Sequence, residues 1–227
     1  MEAETGVQAQ PGARPRAERA DDPLLMAAGA FRLSIVFLGA RHHEQAARAS
    51  GSAAETLRPL AGTGRPEAIA VRGALTLQRA VAAARTDRAD DAYEYLRHAR
   101  DMAAQVGKGR NDYNTEFGPT NVALHGVTVA VDLGDAGVGL RAAENVDAST
   151  LSTERQTRFR IDVARAHTQR RQVPAAVEAL LTARRLAPDM VLAVPVVRQL
   201  VADLMAMSRP PSDDLRGLAK ELGIQSC

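Results

Sequence analysis

A chain of 227 residues with 45% hydrophobic and 25% charged side chains can bury a core as one or two domains, or as one continuous repeat array. Aromatic residues are only 3% and Trp is absent, so alanine must carry much of the packing, and the few scattered rings argue against a base-stacking platform. With 29 basic against 27 acidic residues the net charge is +2, and every cation except Lys108 and Lys220 is Arg; this balance offers no broad phosphate-binding surface.

Residues 1–21 are polar and contain Pro11, Gly12, Pro15 and the run Arg14-Pro15-Arg16-Ala17-Glu18-Arg19. Without an apolar period they are expected to form a disordered tail or linker. Asp22-Pro23 then supplies a cap residue followed by Pro at the first helical position, which opens a helix. The apolar stretch from Leu24 to Leu38 is interrupted by Arg32 and preceded by Asp21 and Asp22. It falls short of the roughly 20 residues of a membrane span, so no membrane role is expected.

From there the pattern predicts helices without strands, over 23–40, 43–60, 66–85, 89–106, 117–133, 136–146, 153–170, 173–186, 195–208 and 213–222. Gly62-Thr63-Gly64-Arg65-Pro66, Gly107-Lys108-Gly109, Gly134-Asp135, Ser149-Thr150 and Pro210-Pro211 separate them. The lone cysteine, Cys227, ends the chain, so no intramolecular disulfide forms, and a prenylation box would need Cys fourth from the end. A reducing cytoplasm suits this usage.

Internal repetition carries the fold reading. Small or apolar residues recur at i, i+4 and i+7 in the sets Ala46, Ser50, Ala53; Ala92, Leu96, Ala99; Gly139, Ala143, Val146; and Ala176, Leu180, Ala183. Twelve places before each first member stand Ser34, Ala80, Val127 and Ala164, on the preceding helix. A compact residue at both positions lets two backbones close together. The pattern resembles the tetratricopeptide repeat, best over residues 157–190, where Pro188 stands as a helix stop. The expected fold is all-α, a tetratricopeptide-like solenoid of helical hairpins over residues 22–224, with about four units. Met190–Met207 and a helix from Asp213 bearing Leu215, Leu218 and Leu222 are expected to cap it. No polar capping helix precedes the first unit, which suggests descent from a chain longer at its N-terminus.

Few enzyme signatures are present. There is no Gly-x-Ser-x-Gly elbow, phosphate-cradling glycine loop or Cys/His pair. His42 and His43 are adjacent and diverge on a helix, His167 falls at a packing position, and His98 stands near Glu94 and Asp101. No enzymatic activity, metal or cofactor is expected.

The stretch from Arg110 to His125 is different. It gathers amide, carboxylate, aromatic, Gly-Pro and imidazole groups at a turn and the start of a helix. Asn121 and His125 form an i,i+4 pair with Thr128 one turn on. They are expected to face a groove, with Tyr113, Asn114, Glu116 and Phe117 beside them, as contacts for a peptide or small polar ligand. A second reading stays open: Asn111 and Asp112 satisfy helix-end backbone groups, while Tyr113 and Phe117 plug the gap between two units.

Arg110-Asn111-Asp112-Tyr113, Phe117-Gly118-Pro119-Thr120-Asn121-Val122-Ala123, Val131-Asp132-Leu133-Gly134-Asp135 and Ile161-Asp162-Val163-Ala164-Arg165-Ala166-His167 carry a more specific likeness. Together they resemble the C-terminal repeat region of actinobacterial helix-turn-helix regulators of the XRE class, over roughly 22–224. The resemblance implies a sensor and dimerisation domain of a transcriptional regulator, forming a homodimer. It implies a protein, peptide or small signalling molecule as ligand, and DNA only indirectly, since residues 1–22 hold no helix-turn-helix. It also implies a bulkier aromatic at position 114 and Ala at 139. Here these are Asn114 and Gly139, and the glycine predicts a looser third unit. The alternative is a free-standing repeat scaffold that binds a peptide or protein unrelated to DNA.

Overall fold

The computed structural model describes residues 22–224; the expected tail at 1–21 and Cys227 lie outside the described residues. Among the described residues there is no strand, only helices α1 (Pro23–Gly39), α2 (His43–Thr56), α3 (Arg58–Gly62), α4 (Pro66–Ala84), α5 (Ala89–Val106), α6 (Pro119–Asp132), α7 (Ala136–Ala143), α8 (Thr153–Gln169), α9 (Val173–Leu186), α10 (Pro188–Ala193), α11 (Pro195–Met207) and α12 (Asp213–Glu221). A single 3-10 turn, Asp112–Asn114, precedes α6. Among the described residues no helix is long and apolar enough to cross a membrane.

Four helix pairs, α1/α2, α4/α5, α6/α7 and α8/α9, pack as hairpins through short turns of one design. The next-to-last residue of each turn is left-handed: Arg41 (φ 62°), Asp87 (φ 58°), Gly134 (φ 84°) and Arg171 (φ 57°). The following amide then reaches back five residues, His42 to Phe37, Arg88 to Ala83, Asp135 to Ala130 and Gln172 to His167, at 2.8–2.9 Å. This is the closure of a helix by a left-handed residue, which satisfies carbonyls that the helix end leaves open. Seven residues before each left-handed position stand Ser34, Ala80, Val127 and Ala164; five after it stand Ala46, Ala92, Gly139 and Ala176. All eight are buried. The periodic small residues and the turn geometry therefore share one register through four pairs.

The third pair shows how that register tolerates change. Val127 is the bulkiest residue at its position, and Gly139 opposite lacks the methyl that the others carry. A Cβ on Gly139 would lie 3.1 Å from Val131 Cγ2 and 3.6 Å from the Val127 carbonyl oxygen. The glycine thus permits close approach, and the contact is tight, not loose. Gly137 and Gly139 also weaken α7 as a helix, and it stops at Ala143, leaving Val146 beyond its end.

Two other departures from the expected spans have local causes. The helix from His43 ends at Thr56, because Pro59 cannot donate into a continued helix and instead sits in the first turn of α3. The helix expected from 117 begins at Pro119, with Phe117 and Gly118 held outside it. The described C-terminal helices α10, α11 and α12 pack on one another and on α8 and α9.

Helix α4 is the pillar of the N-terminal half. From Ala68 to Ala84 nearly every residue is buried, seven of them alanines, because α1, α2, α5 and α6 all pack on it. Alanine's short side chain lets several helices crowd one axis, which answers the scarcity of aromatics. The first helices of the pairs also touch in succession, α1 on α4, α4 on α6 and α6 on α8.

At their C-terminal ends these helices are tied laterally. Arg85 Nη1 donates to the Leu38 carbonyl at 3.1 Å, and Arg85 Nε to Asp132 Oδ2 at 2.9 Å. Arg165 Nη2 reaches Asp132 Oδ1 at 2.5 Å, while its Nη1 holds Asp162 at 2.9 Å. Gln169 Nε2 donates to the Val131 carbonyl at 2.9 Å. Arg85, Asp132 and Gln169 each stand two residues before the left-handed position of their pair, so equivalent positions form a ladder.

Arg171 carries a side chain where Gly134 carries none, so the two turns predict opposite responses. Gly134→Ala is expected to lower unfolding free energy by about 1–2 kcal/mol, and Arg171→Gly to raise it by up to about 1 kcal/mol. Urea denaturation of both variants checks this; the same sign for both would contradict it.

Candidate functional site

The loop between α5 and α6 contains three non-glycine residues in left-handed backbone, Tyr113 (φ 51°), Asn114 (φ 55°) and Glu116 (φ 50°). Asn accepts this region readily; Tyr and Glu do not, so the loop is held from outside. Arg32 of α1 donates from Nη2 to the Asn114 carbonyl at 2.7 Å and to that of Tyr113 at 3.4 Å. Asn111 Oδ1 accepts from the Glu116 amide at 2.9 Å, and Thr115 Oγ1 donates to the Asp112 carbonyl at 2.8 Å. Arg110 grips both oxygens of Asp112 at 2.8 Å and lies 3.7 Å from Glu67 on α4.

Phe117 is the anchor of the loop. It is 1% exposed, and its ring lies over Gly73 of α4 so closely that a Cβ there would come 2.1 Å from Phe117 Cζ. Expected among the ligand contacts, Phe117 is a packing residue instead. Tyr113 also packs on the core around α4. Burial raises its phenol pKa, with Asp22 adding to the shift, Arg65 opposing it, and Glu67 and Asp112 adding further. Tyr113 thus belongs to the starts of α1 and α4, away from the imidazole. The Asn114 side chain is exposed.

Glu116, Asn121 and His125 do come together, against α8. Glu116 Oε2 accepts from the Ser152 amide at 3.0 Å, at the N-terminus of α8, where the helix dipole favours a carboxylate. Asn121 is 1% exposed; its Nδ2 donates to the Thr115 carbonyl at 3.3 Å, while its Oδ1 is buried and meets no donor among the described residues. His125 donates from Nδ1 to the Asn121 carbonyl at 2.8 Å, which leaves the acceptor lone pair on Nε2. Thr128, one turn on, donates to Asp162 Oδ2 at 2.7 Å. The face expected to line an open groove is therefore covered by α8 at this point.

Arg155 of α8 completes the cluster. Its guanidinium makes no ion pair among the described residues, and burial lowers its pKa, opposed by Glu116 and Glu154 and assisted by Arg158 and Arg32. The His125 pKa is lowered to about 3, chiefly by burial and then by Arg155, against the pull of the Asn121 carbonyl. The result is a neutral imidazole acceptor and a buried amide oxygen acceptor on α6, with the half-buried Arg155 charge close enough to act on the imidazole. What the cluster offers chemically is hydrogen-bond acceptance and positive charge, with no nucleophile beside an activating base. Among the described residues no group of three or more His, Cys, Asp or Glu side chains stands where a metal ion would be held.

Sequence reasoning missed Arg32, Arg155 and Ser152. Arg155 is one arginine among many, and only the folding of α8 onto α6 marks it out. Comparison with protein-family models gives no match, and comparison with curated proteins gives none either.

The imidazole supplies a pH dependence. The unfolded histidine takes up a proton below its usual pKa of 6.5, and the folded one does not until about 3. Its contribution is therefore fully present above pH 6.5 and is lost as pH falls toward 3. Urea unfolding between pH 7.5 and 5 is expected to show stability falling by up to about 1.4 kcal/mol per unit for this one proton. In His125→Gln that share of the slope is expected to vanish; an unchanged slope would mean that His125 is solvated.

Proposed function

We propose that the chain is a tetratricopeptide-type solenoid of four helical hairpins, serving as the ligand-binding and dimerising domain of a transcriptional regulator. The shared register of small residues and left-handed turns supports the solenoid reading. So does the succession of contacts from α1 through α4 and α6 to α8. The regulator reading rests on the resemblance carried by Arg110–His125 and Ile161–His167, and it makes the chain a binding protein of the cytoplasm, not an enzyme.

One observation carries the binding role: the buried Asn121 Oδ1 without a donor, beside the neutral His125 and the unpaired Arg155. Buried polar groups are nearly always satisfied, so an exception beside an unpaired cation is a natural place for a ligand. The matching chemistry is a peptide or small signalling molecule with N–H or O–H donors for Asn121 and His125 and a carboxylate for Arg155. Glu116 then borders it, while Tyr113 and Asn114 belong to the loop that holds Glu116 in place. An exposed apolar stripe on α1, Leu25, Met26, Leu33 and Val36, supports pairing with a second copy.

Affinity capture tests this reading. The wild-type chain is expected to recover a helix-turn-helix protein, and Arg155→Ala roughly tenfold less, the loss typical of a buried charged contact. Recovery of a partner unrelated to DNA would favour the free-standing scaffold. Equal recovery by Arg155→Ala would move the site elsewhere.

A further inference from the structure

A second concentration of charge lies on a different face of α4. Arg72, Thr76 and Arg79 stand at i, i+4 and i+7, so they share one stripe, while Gly73 turns toward Phe117. That stripe floors a cleft of about 390 Å³ between α2 and α5, whose walls include Arg58 and Glu55 on one side and Tyr95, His98 and Met102 on the other. Glu55 is already paired with Arg58. Asp101, also at the cleft, lies 3.9 Å from Arg97.

Arg72 and Arg79 have no such partner: neither makes an ion pair among the described residues. The Arg72 guanidinium donates from Nη1 to the Met102 sulfur at 3.8 Å, and its Nε is buried with no hydrogen-bond partner among the described residues. Arg79 Nη2 donates to the Tyr95 hydroxyl at 2.8 Å, and its guanidinium carbon lies 4.2 Å above the centre of the Tyr95 ring. Stacking on tyrosine fixes the plane of one fork, and the helix fixes the second fork two turns away. A thioether is a weak acceptor, so it leaves the Arg72 donors almost unused.

We propose that this cleft is a binding site for a small oxyanion, a phosphate or carboxylate group, held between the Arg72 and Arg79 guanidinium groups. The planar forks match two oxygens of such a group, and a lysine at either position would supply charge without that geometry. Met102, unbranched and adaptable, moves aside to open the Arg72 edge. Glu55, at the exposed rim and bound to Arg58, disfavours a second negative charge there and limits the site to one oxyanion head. The site is independent of the Asn121–His125–Arg155 cluster.

Calorimetric titration of the full chain with inorganic phosphate and with malonate, at constant ionic strength, tests the proposal. Saturable binding of at least one is expected, and which of the two binds separates phosphate from carboxylate chemistry. Binding is expected to weaken at least about tenfold in Arg72→Gln and to a similar extent in Arg79→Lys, which keeps the charge and loses the fork. Arg216→Gln, at an exposed position of α12 away from the cleft, is expected to bind as the wild type does. Thermal unfolding of each variant checks its fold, and Arg79→Lys carries the test if Arg72→Gln does not fold. Saturable binding of neither anion, or equal binding in Arg79→Lys and the wild type, would overturn it.

Discussion

The carboxylate of Asp132 is where three helices meet. It ends α6, its side chain is 4% exposed, and Arg85 at the C-terminal cap of α4 and Arg165 of α8 each take one of its two oxygens. An acid at a helix C-terminus opposes the helix dipole, and burying it costs more again. Two guanidinium groups, each with a further anchor at the Leu38 carbonyl or Asp162, offset both costs. The pairing does more than neutralise charge. It fixes the sliding register of α4, α6 and α8, which alanine contacts alone leave poorly defined, because small smooth surfaces slip past one another easily.

At the opposite ends of the same helices the loop from Arg110 to Gly118 does a comparable task by other means. Its left-handed residues are held by Arg32, Asn111 and the Phe117 ring seated over Gly73. Glu116 then reaches the start of α8. A loop so tied cannot relax when α8 shifts, so the position of α8 sets the surroundings of Asn121 and His125. Registry at Asp132 and the geometry of the polar cluster are in this sense one problem.

Much of the architecture was legible because it is written locally. The spacing from Ser34 to Ala46, and its three counterparts, reports a close approach that depends only on small side chains facing across a short turn. Pro23, Pro66 and Pro195 announce helix starts by the loss of a donor. The candidate site was legible only in part. Asn121 and His125 advertise themselves by their i,i+4 spacing, but whether that face is open depends on α8, more than twenty residues further along. Phe117 reads equally as ligand contact or plug until its partner is known, and that partner, Gly73, is far away in the chain. The unpaired state of Arg155, Arg72 and Arg79 cannot be seen in a sequence where acids and bases alternate throughout; it emerges only when the neighbours are in place.

Native-state hydrogen exchange on Asp132→Asn is the most direct test of this account, since the substitution keeps the shape and removes the charge that joins the helices. If Asp132 sets a common register, protection should fall together in α4, α6 and α8, by about 1–3 kcal/mol of opening free energy, with α11 and α12 unaffected. Loss of protection confined to the last turn of α6 would contradict the account and reduce Asp132 to a local cap.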